Sequence, residues 1–167
     1  MWKKTIEKFE KYPSQQKVII KLLQLGLRVD ENKKIYCEDV EINMSSLAKS
    51  INTDRRVIVS TINNILMDDD LKKIFSNITP AGPVLSKISQ PLGLGVIEIE
   101  GMAEKCGILS EVSKILADEK ISIVQVYASD AYLTLNPHMT IITDKLIDGN
   151  IIQLLLNIDG VNKVSIY

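Results

Sequence analysis

The chain has 167 residues, room for one full domain or two small ones at roughly 150 residues per domain. Hydrophobic residues at 46% and charged residues at 25% exclude wholesale disorder and collagen-like structure. With 20 Lys+Arg against 21 Asp+Glu, the net charge of -1 gives no whole-chain excess that would point to nucleic acid or a membrane. The balance conceals an asymmetry: residues 1–90 carry 15 basic and 11 acidic side chains, a net of +4, and residues 91–167 carry 5 and 10, a net of -5. Opposite signs in the two halves predict two modules with different partners.

In chain order, Trp2, Ile6 and Phe9 follow the spacing of one helix face. Pro13 suits the first turn of a second helix, where its missing N–H costs nothing. Val18, Ile19, Leu22, Leu23 and Leu25 give that helix an apolar stripe, and Gly26 is placed to end it. A strand-like stretch follows over 34–42. The densest Pro and Gly punctuation is Thr79-Pro80-Ala81-Gly82-Pro83 and Gln90-Pro91-Leu92-Gly93, which coincides with the change of charge sign. It predicts domains over 1–78 and 93–167 joined by a linker over 79–92, with a short helical turn at 84–89.

Beyond the linker, period 2 alternates with period 3.6. Val96–Glu100 reads as a strand with Ile97 and Ile99 inward. Ile108, Leu109, Val112, Ile115 and Leu116 form a helix face; 121–128 and 138–143 are β-branched runs. Ile151, Leu154, Leu155 and Ile158 return to helical spacing, and 161–166 is a final strand after Asp159-Gly160. The order β-α-β-β-α-β in about 75 residues predicts a ferredoxin-like antiparallel sheet with two helices on one face, and an α+β chain as a whole.

Two cysteines, Cys37 and Cys106, make neither a disulfide framework nor a metal motif, which fits a reducing cytosol. The most apolar stretch, near 147–158, is broken by Asp148, Gly149, Asn150, Gln153 and Asn157, so no membrane span is expected. The N-terminus lacks an apolar signal core, and the expected location is cytoplasmic.

The segment 42–62 carries the first functional pattern. Leu47, Ala48, Ile51, Val57 and Ile62 are spaced as the inner faces of two helices joined by a tight turn at Asn52, and Thr53 is placed to cap the second. Its polar side would carry Arg55, Arg56, Ser60, Asn63 and Asn64, donors suited to phosphates and base edges. Residues 13–75 resemble the winged helix-turn-helix of many archaeal and bacterial transcription regulators. That resemblance implies double-stranded DNA as a partner, with Thr53, Arg55, Arg56, Ser60 and Asn63 at the interface. A clear wing hairpin is missing, and Asp68-Asp69-Asp70 stand where a cationic wing would follow.

The second pattern is the strand 95–100, the turn Gly101-Met102-Ala103-Glu104-Lys105-Cys106-Gly107 and the helix start Ile108-Leu109-Ser110. It resembles the opening of an ACT domain, a small module that binds amino acids. The family turn usually reads Asp-x-Pro-Gly-hydrophobic-Leu; this chain keeps Gly107, Ile108 and Leu109 but has Lys105-Cys106 where x-Pro is common. Open N–H groups at a helix N-terminus favour a carboxylate. The resemblance implies an amino acid at Cys106, Gly107, Ile108 and Leu109, and in this sequence Ser129 and Asp130, after the second strand, are placed to accept from its ammonium.

No P-loop, Rossmann glycine signature, G-x-S-x-G or metal cluster occurs, and His138, the single histidine, lies in an apolar run, so neither an enzyme nor a cofactor is expected. Together the halves resemble archaeal regulators of amino-acid metabolism that place a helix-turn-helix before an ACT domain. The implied function is amino-acid-responsive transcriptional regulation by a homodimer or higher homo-oligomer, since the sheet has exposed edges and paired DNA half-sites need two reading heads. The alternatives are a regulatory subunit docking on a biosynthetic enzyme without DNA binding, and a structural dimer.

Overall fold

The first apolar run folds as helix α1 (Lys3–Glu7) in the computed structural model, which describes residues 2–102 and 105–167. Thr5 and Phe9 turn inward there, whereas Trp2 and Ile6 are only half-buried. The chain divides into two units, Met1–Gly82 and Pro83–Tyr167. In the first, α2 (Pro13–Leu25) buries Val18, Ile19, Leu22 and Leu23 and stops at Gly26, whose φ of +62° lets the Leu27 N–H return to the Leu22 carbonyl at 2.9 Å. Strands β1 (Arg28–Val29), β2 (Ile35–Cys37) and β3 (Val40–Ile42) form a small antiparallel sheet in that order. Helices α3 (Met44–Ser50), α4 (Arg55–Met67) and α5 (Asp69–Asn77) complete the unit.

The hairpin therefore precedes the helix pair, and the chain after α4 forms a helix where a winged domain would place its wing. The acidic run explains why. Asp68 caps α5, its carboxylate accepting from the Asp70 and Leu71 N–H groups at 3.1 and 3.0 Å. Asp69 and Asp70 then lie in the first turn, where the helix dipole favours negative charge. Leu71 and Phe75, one turn apart, bury the inner face.

In the second unit two 3₁₀ turns, Leu85–Ile88 and Gln90–Leu92, lead into β4 (Gly95–Gly101), α6 (Ile108–Asp118), β5 (Ile123–Ala128), β6 (Met139–Thr143), α7 (Asn150–Leu156) and β7 (Val161–Ile166). The sheet order is β5-β6-β4-β7, every pairing antiparallel. This is the anticipated β-α-β-β-α-β order. Ile97, Ile99 and Ile141 pack beneath Val112 and Leu116 of α6 and Ile151 and Leu155 of α7. Leu109 and Leu154, placed by their spacing on inner helix faces, are instead 44% exposed.

Part of the opposite sheet face is covered too, which the alternation does not foretell. Val96, Thr140 and Ile142 are buried there. The first 3₁₀ turn packs against β6, and the Gln125 amide clasps the incoming chain: its Nε2 donates to the Pro83 carbonyl at 2.9 Å and its Oε1 accepts from the Leu85 N–H at 3.0 Å. Among the described residues no helix is long and apolar enough to cross a membrane, and no group of three or more His, Cys, Asp or Glu side chains is placed to hold a metal ion.

Candidate functional site

In the first unit the site is the α3–α4 pair. Asn43 starts α3, its Oδ1 accepting from the Ser45 N–H at 2.8 Å. Asn52, at φ +53°, ends it: the Asn52 and Thr53 N–H groups return to the Lys49 and Ala48 carbonyls at 3.2 and 3.0 Å. Asn tolerates the left-handed region better than most residues, so the tight turn forms where the sequence places it. The cap of α4 is Asp54, not Thr53: its Oδ1 accepts from the Arg56 N–H at 2.7 Å, while the Thr53 N–H is drawn into closing α3. A carboxylate at that position also meets the positive end of the helix dipole.

Ile58, Thr61, Ile62 and Ile65 form the buried side of α4, with Leu66 half-buried. Thr61 reaches that side because its hydroxyl donates to the Val57 carbonyl at 2.7 Å. On the outer side Asp54, Arg55, Arg56, Val59, Ser60 and Asn63 line one shallow concave surface. Arg55 and Arg56 are exposed, and their guanidinium groups form no ion pair with described residues. Two of the polar residues are already engaged. Ser60 Oγ accepts from Gln15 Nε2 at 3.0 Å, and Asn64 Nδ2 donates to Gln15 Oε1 at 2.8 Å, so both face α2. Thr53 lies outside this surface.

In the second unit a cavity of about 270 Å³ opens where β4 ends and α6 begins. Ile108, Leu109 and Ser129 share its wall, largely apolar, with Ile99, Met102 and Met139. Ala103 and Glu104 of the sequence turn lie outside the described residues. Gly107 is the N-cap of α6 at φ +98°; among the described residues no side chain caps that end, and beyond its chain neighbours no heavy atom comes within 4 Å of where a Cβ would stand. Gly107, the exposed Cys106 and Asp130 are not part of the wall. Ser129 Oγ is engaged on both counts, donating to the His138 carbonyl at 2.9 Å and accepting its N–H at 2.7 Å. One Asp130 carboxylate oxygen accepts from the Tyr132 N–H at 2.8 Å and shapes the β5–β6 loop.

Sequence reasoning does not point to Lys105, Pro137 or His138, which also line the cavity. The signal available was pairing: a β5–β6 hairpin in which Ala128 faces Met139 carries His138 to the same end of the sheet as the start of α6. His138 Nδ1 lies 2.9 Å from the Asn136 carbonyl, and the Lys105 ammonium pairs with the Asp159 carboxylate.

No protein-family model matches the sequence, and no curated protein matches it. Among solved structures the chain is similar to an AsnC family transcriptional regulator from Agrobacterium tumefaciens, at 12% identity and a TM-score of 0.29, over 92% of this chain and 86% of that one.

Proposed function

We propose that the chain is a transcriptional regulator of amino-acid metabolism that binds duplex DNA through α4 and an amino acid through the unit carrying α6. The observation that supports it best is the outer side of α4, where Arg55, Arg56, Val59 and Asn63 share one concave surface with the capping Asp54 and neither guanidinium group forms an ion pair among the described residues. Arg on the first turn and Asn on the third turn of a helix held by a tight preceding turn suit phosphate oxygens and base edges of a major groove. The small net charge of the first half sets modest non-specific affinity.

For the effector, the first-turn N–H groups of α6 are offered to a carboxylate, and the apolar wall to an aliphatic side chain. The second Asp130 carboxylate oxygen is the acceptor offered to an ammonium. A homodimer supplies two reading heads for paired half-sites, and the ligand acts by favouring one dimer arrangement over another. The test is duplex binding followed by fluorescence anisotropy across a salt series. Arg55→Ala weakens binding about tenfold, the scale of one good base contact, with an unchanged melting temperature. Absence of salt-dependent duplex binding by the wild type gives the assignment to the docking-subunit alternative.

A further inference from the structure

A second cationic feature lies beside α4, and the sequence pattern of the helix pair does not include it. The chain entering α2 and the first turns of α2 and α4 enclose a cleft lined by Lys11, Tyr12, Ser14, Gln15, Arg56 and Ser60, with no carboxylate in its wall. Lys11 comes from the segment before α2 and Arg56 from the first turn of α4, 45 positions apart in sequence. Both are exposed, and neither side chain forms an ion pair among the described residues. Two like charges held over one concavity repel each other at a cost in stability, which an external anion relieves. The cleft is built rather than incidental: both hydrogen bonds of the Gln15 amide, to Ser60 and Asn64, clamp the start of α2 against α4.

The donor inventory fixes the chemistry. Ammonium, guanidinium and the Ser14 and Tyr12 hydroxyls all donate, and Tyr12, as N-cap of α2, makes no side-chain capping bond that would occupy the first-turn N–H groups. A tetrahedral oxyanion of one or two charges suits that set, and a planar apolar ligand does not. We propose that this cleft is a phosphate clamp: Lys11 and Arg56 hold one phosphodiester of the duplex whose groove α4 reads. This deepens the DNA reading above and rests on it. The clamp separates the roles of two neighbouring arginines. Arg55, on the outer stripe with Val59 and Asn63, addresses bases, whereas Arg56, at the border of both clefts, addresses the backbone. Asp54 lies on the α4 surface and not in the clamp, so the carboxylate that caps α4 sits outside the phosphate position.

The experiment uses the full chain and fluorescein-labelled duplexes, with anisotropy titrations from 50 to 300 mM KCl. Each phosphate contact contributes about 0.9 to the slope of log K against log salt, so Lys11→Ala lowers the slope by roughly 1 and weakens binding about eightfold at 0.1 M salt, equally on every duplex sequence. Lys114→Ala, which removes one positive charge from α6, changes neither slope nor affinity. Ser14→Asp separates binding from folding. An acidic residue in the first turn of α2 leaves the melting temperature unchanged or higher, yet it places a negative charge in the clamp and cuts affinity tenfold or more. Wild-type binding with a Lys11→Ala slope equal to that of Lys114→Ala overturns the clamp and leaves the DNA assignment standing. Wild type without salt-dependent binding removes both. An equal Lys11→Ala loss on a single strand of the same length overturns the placement on duplex.

Discussion

Gly107→Val tests the start of α6 and the ligand site together. Gly107 has φ +98° and ψ -17°, a region that costs a non-glycine residue on the order of 1–3 kcal/mol, with a β-branched residue toward the upper end. Among the described residues nothing beyond the chain neighbours lies within 4 Å of an added Cβ, so the cost is set by backbone strain. Lower unfolded-state entropy returns roughly 0.4–1 kcal/mol, leaving a net loss of about 2 kcal/mol. If the unit Pro83–Tyr167 melts as one transition, a loss of that size lowers Tm by roughly 8–16 °C at its length. Gly107→Ala falls between wild type and the valine variant. The assay is thermal unfolding of all three proteins, alone and with each of the twenty amino acids at millimolar concentration. A valine variant that melts with wild type refutes the left-handed start of α6. An amino acid that raises both melting temperatures equally refutes the placement of the ligand at this turn, because valine displaces the first-turn N–H groups.

Asp130→Asn keeps an acceptor for the Tyr132 N–H and removes the charge offered to an ammonium, so amino-acid affinity measured by calorimetry falls about fivefold while Tm holds. Lys120 sits at φ +54°, closing α6 through the Ile121 N–H to Leu116 carbonyl bond at 2.9 Å, and Lys120→Gly raises stability in denaturant titration by roughly 0.5–1 kcal/mol. Ile141→Ala, at the fully buried centre of the sheet, costs about 2–5 kcal/mol in the same titration. The Lys8 ammonium, 2.6 Å from Asp68, and then the Leu71 N–H hold the Asp68 carboxyl below the usual carboxylate range. A folded pKa lowered in this way stabilises above the unfolded value near 4 and is lost as pH falls through the folded one. Wild type therefore outlasts Asp68→Asn at pH 7, and the two melt together in acid.

The second unit was legible nearly element by element because its periods change cleanly. Val96–Glu100 alternates, Val112 and Leu116 are a turn apart, and every switch except that from α6 to β5, which turns at Lys120, carries a Gly, Asp-Gly or Pro signal. The burial of Val96 and Ile142 was not legible, because it depends on a side-chain amide, Gln125, holding a chain segment 40 positions away. In the first unit the α3–α4 turn was readable from Asn52, but α5 was hidden: its acidic run stands where a wing would follow, and only the structure shows Asp68 accepting two N–H groups. Local spacing cannot distinguish a cap from a loop charge. The cavity wall was half legible, since Ile108 and Leu109 follow from the helix start, whereas Lys105 and His138 arrive through strand pairing and a turn.

The longer helices differ in what takes up their first-turn N–H groups. Among the described residues four helices exceed eight residues: α2, α4, α5 and α6. Asp54 and Asp68 cap α4 and α5, so the chain's own carboxylates take up N–H donors and stabilise the fold. Among the described residues no side chain caps α2, which starts at Tyr12-Pro13, or α6, which starts at Gly107. Both uncapped ends open onto concave surface, α2 through Ser14 and Gln15 and α6 through Ile108 and Leu109. A cap left out costs roughly 1 kcal/mol of helix stability, so each open end keeps donors that an external anion can satisfy. The two surroundings then sort the anions. Lys11 and Arg56 give the α2 end a hydrophilic, doubly cationic rim suited to a phosphodiester, and Ile99, Met102 and Met139 give the α6 end an apolar wall suited to a carboxylate carrying a hydrocarbon side chain.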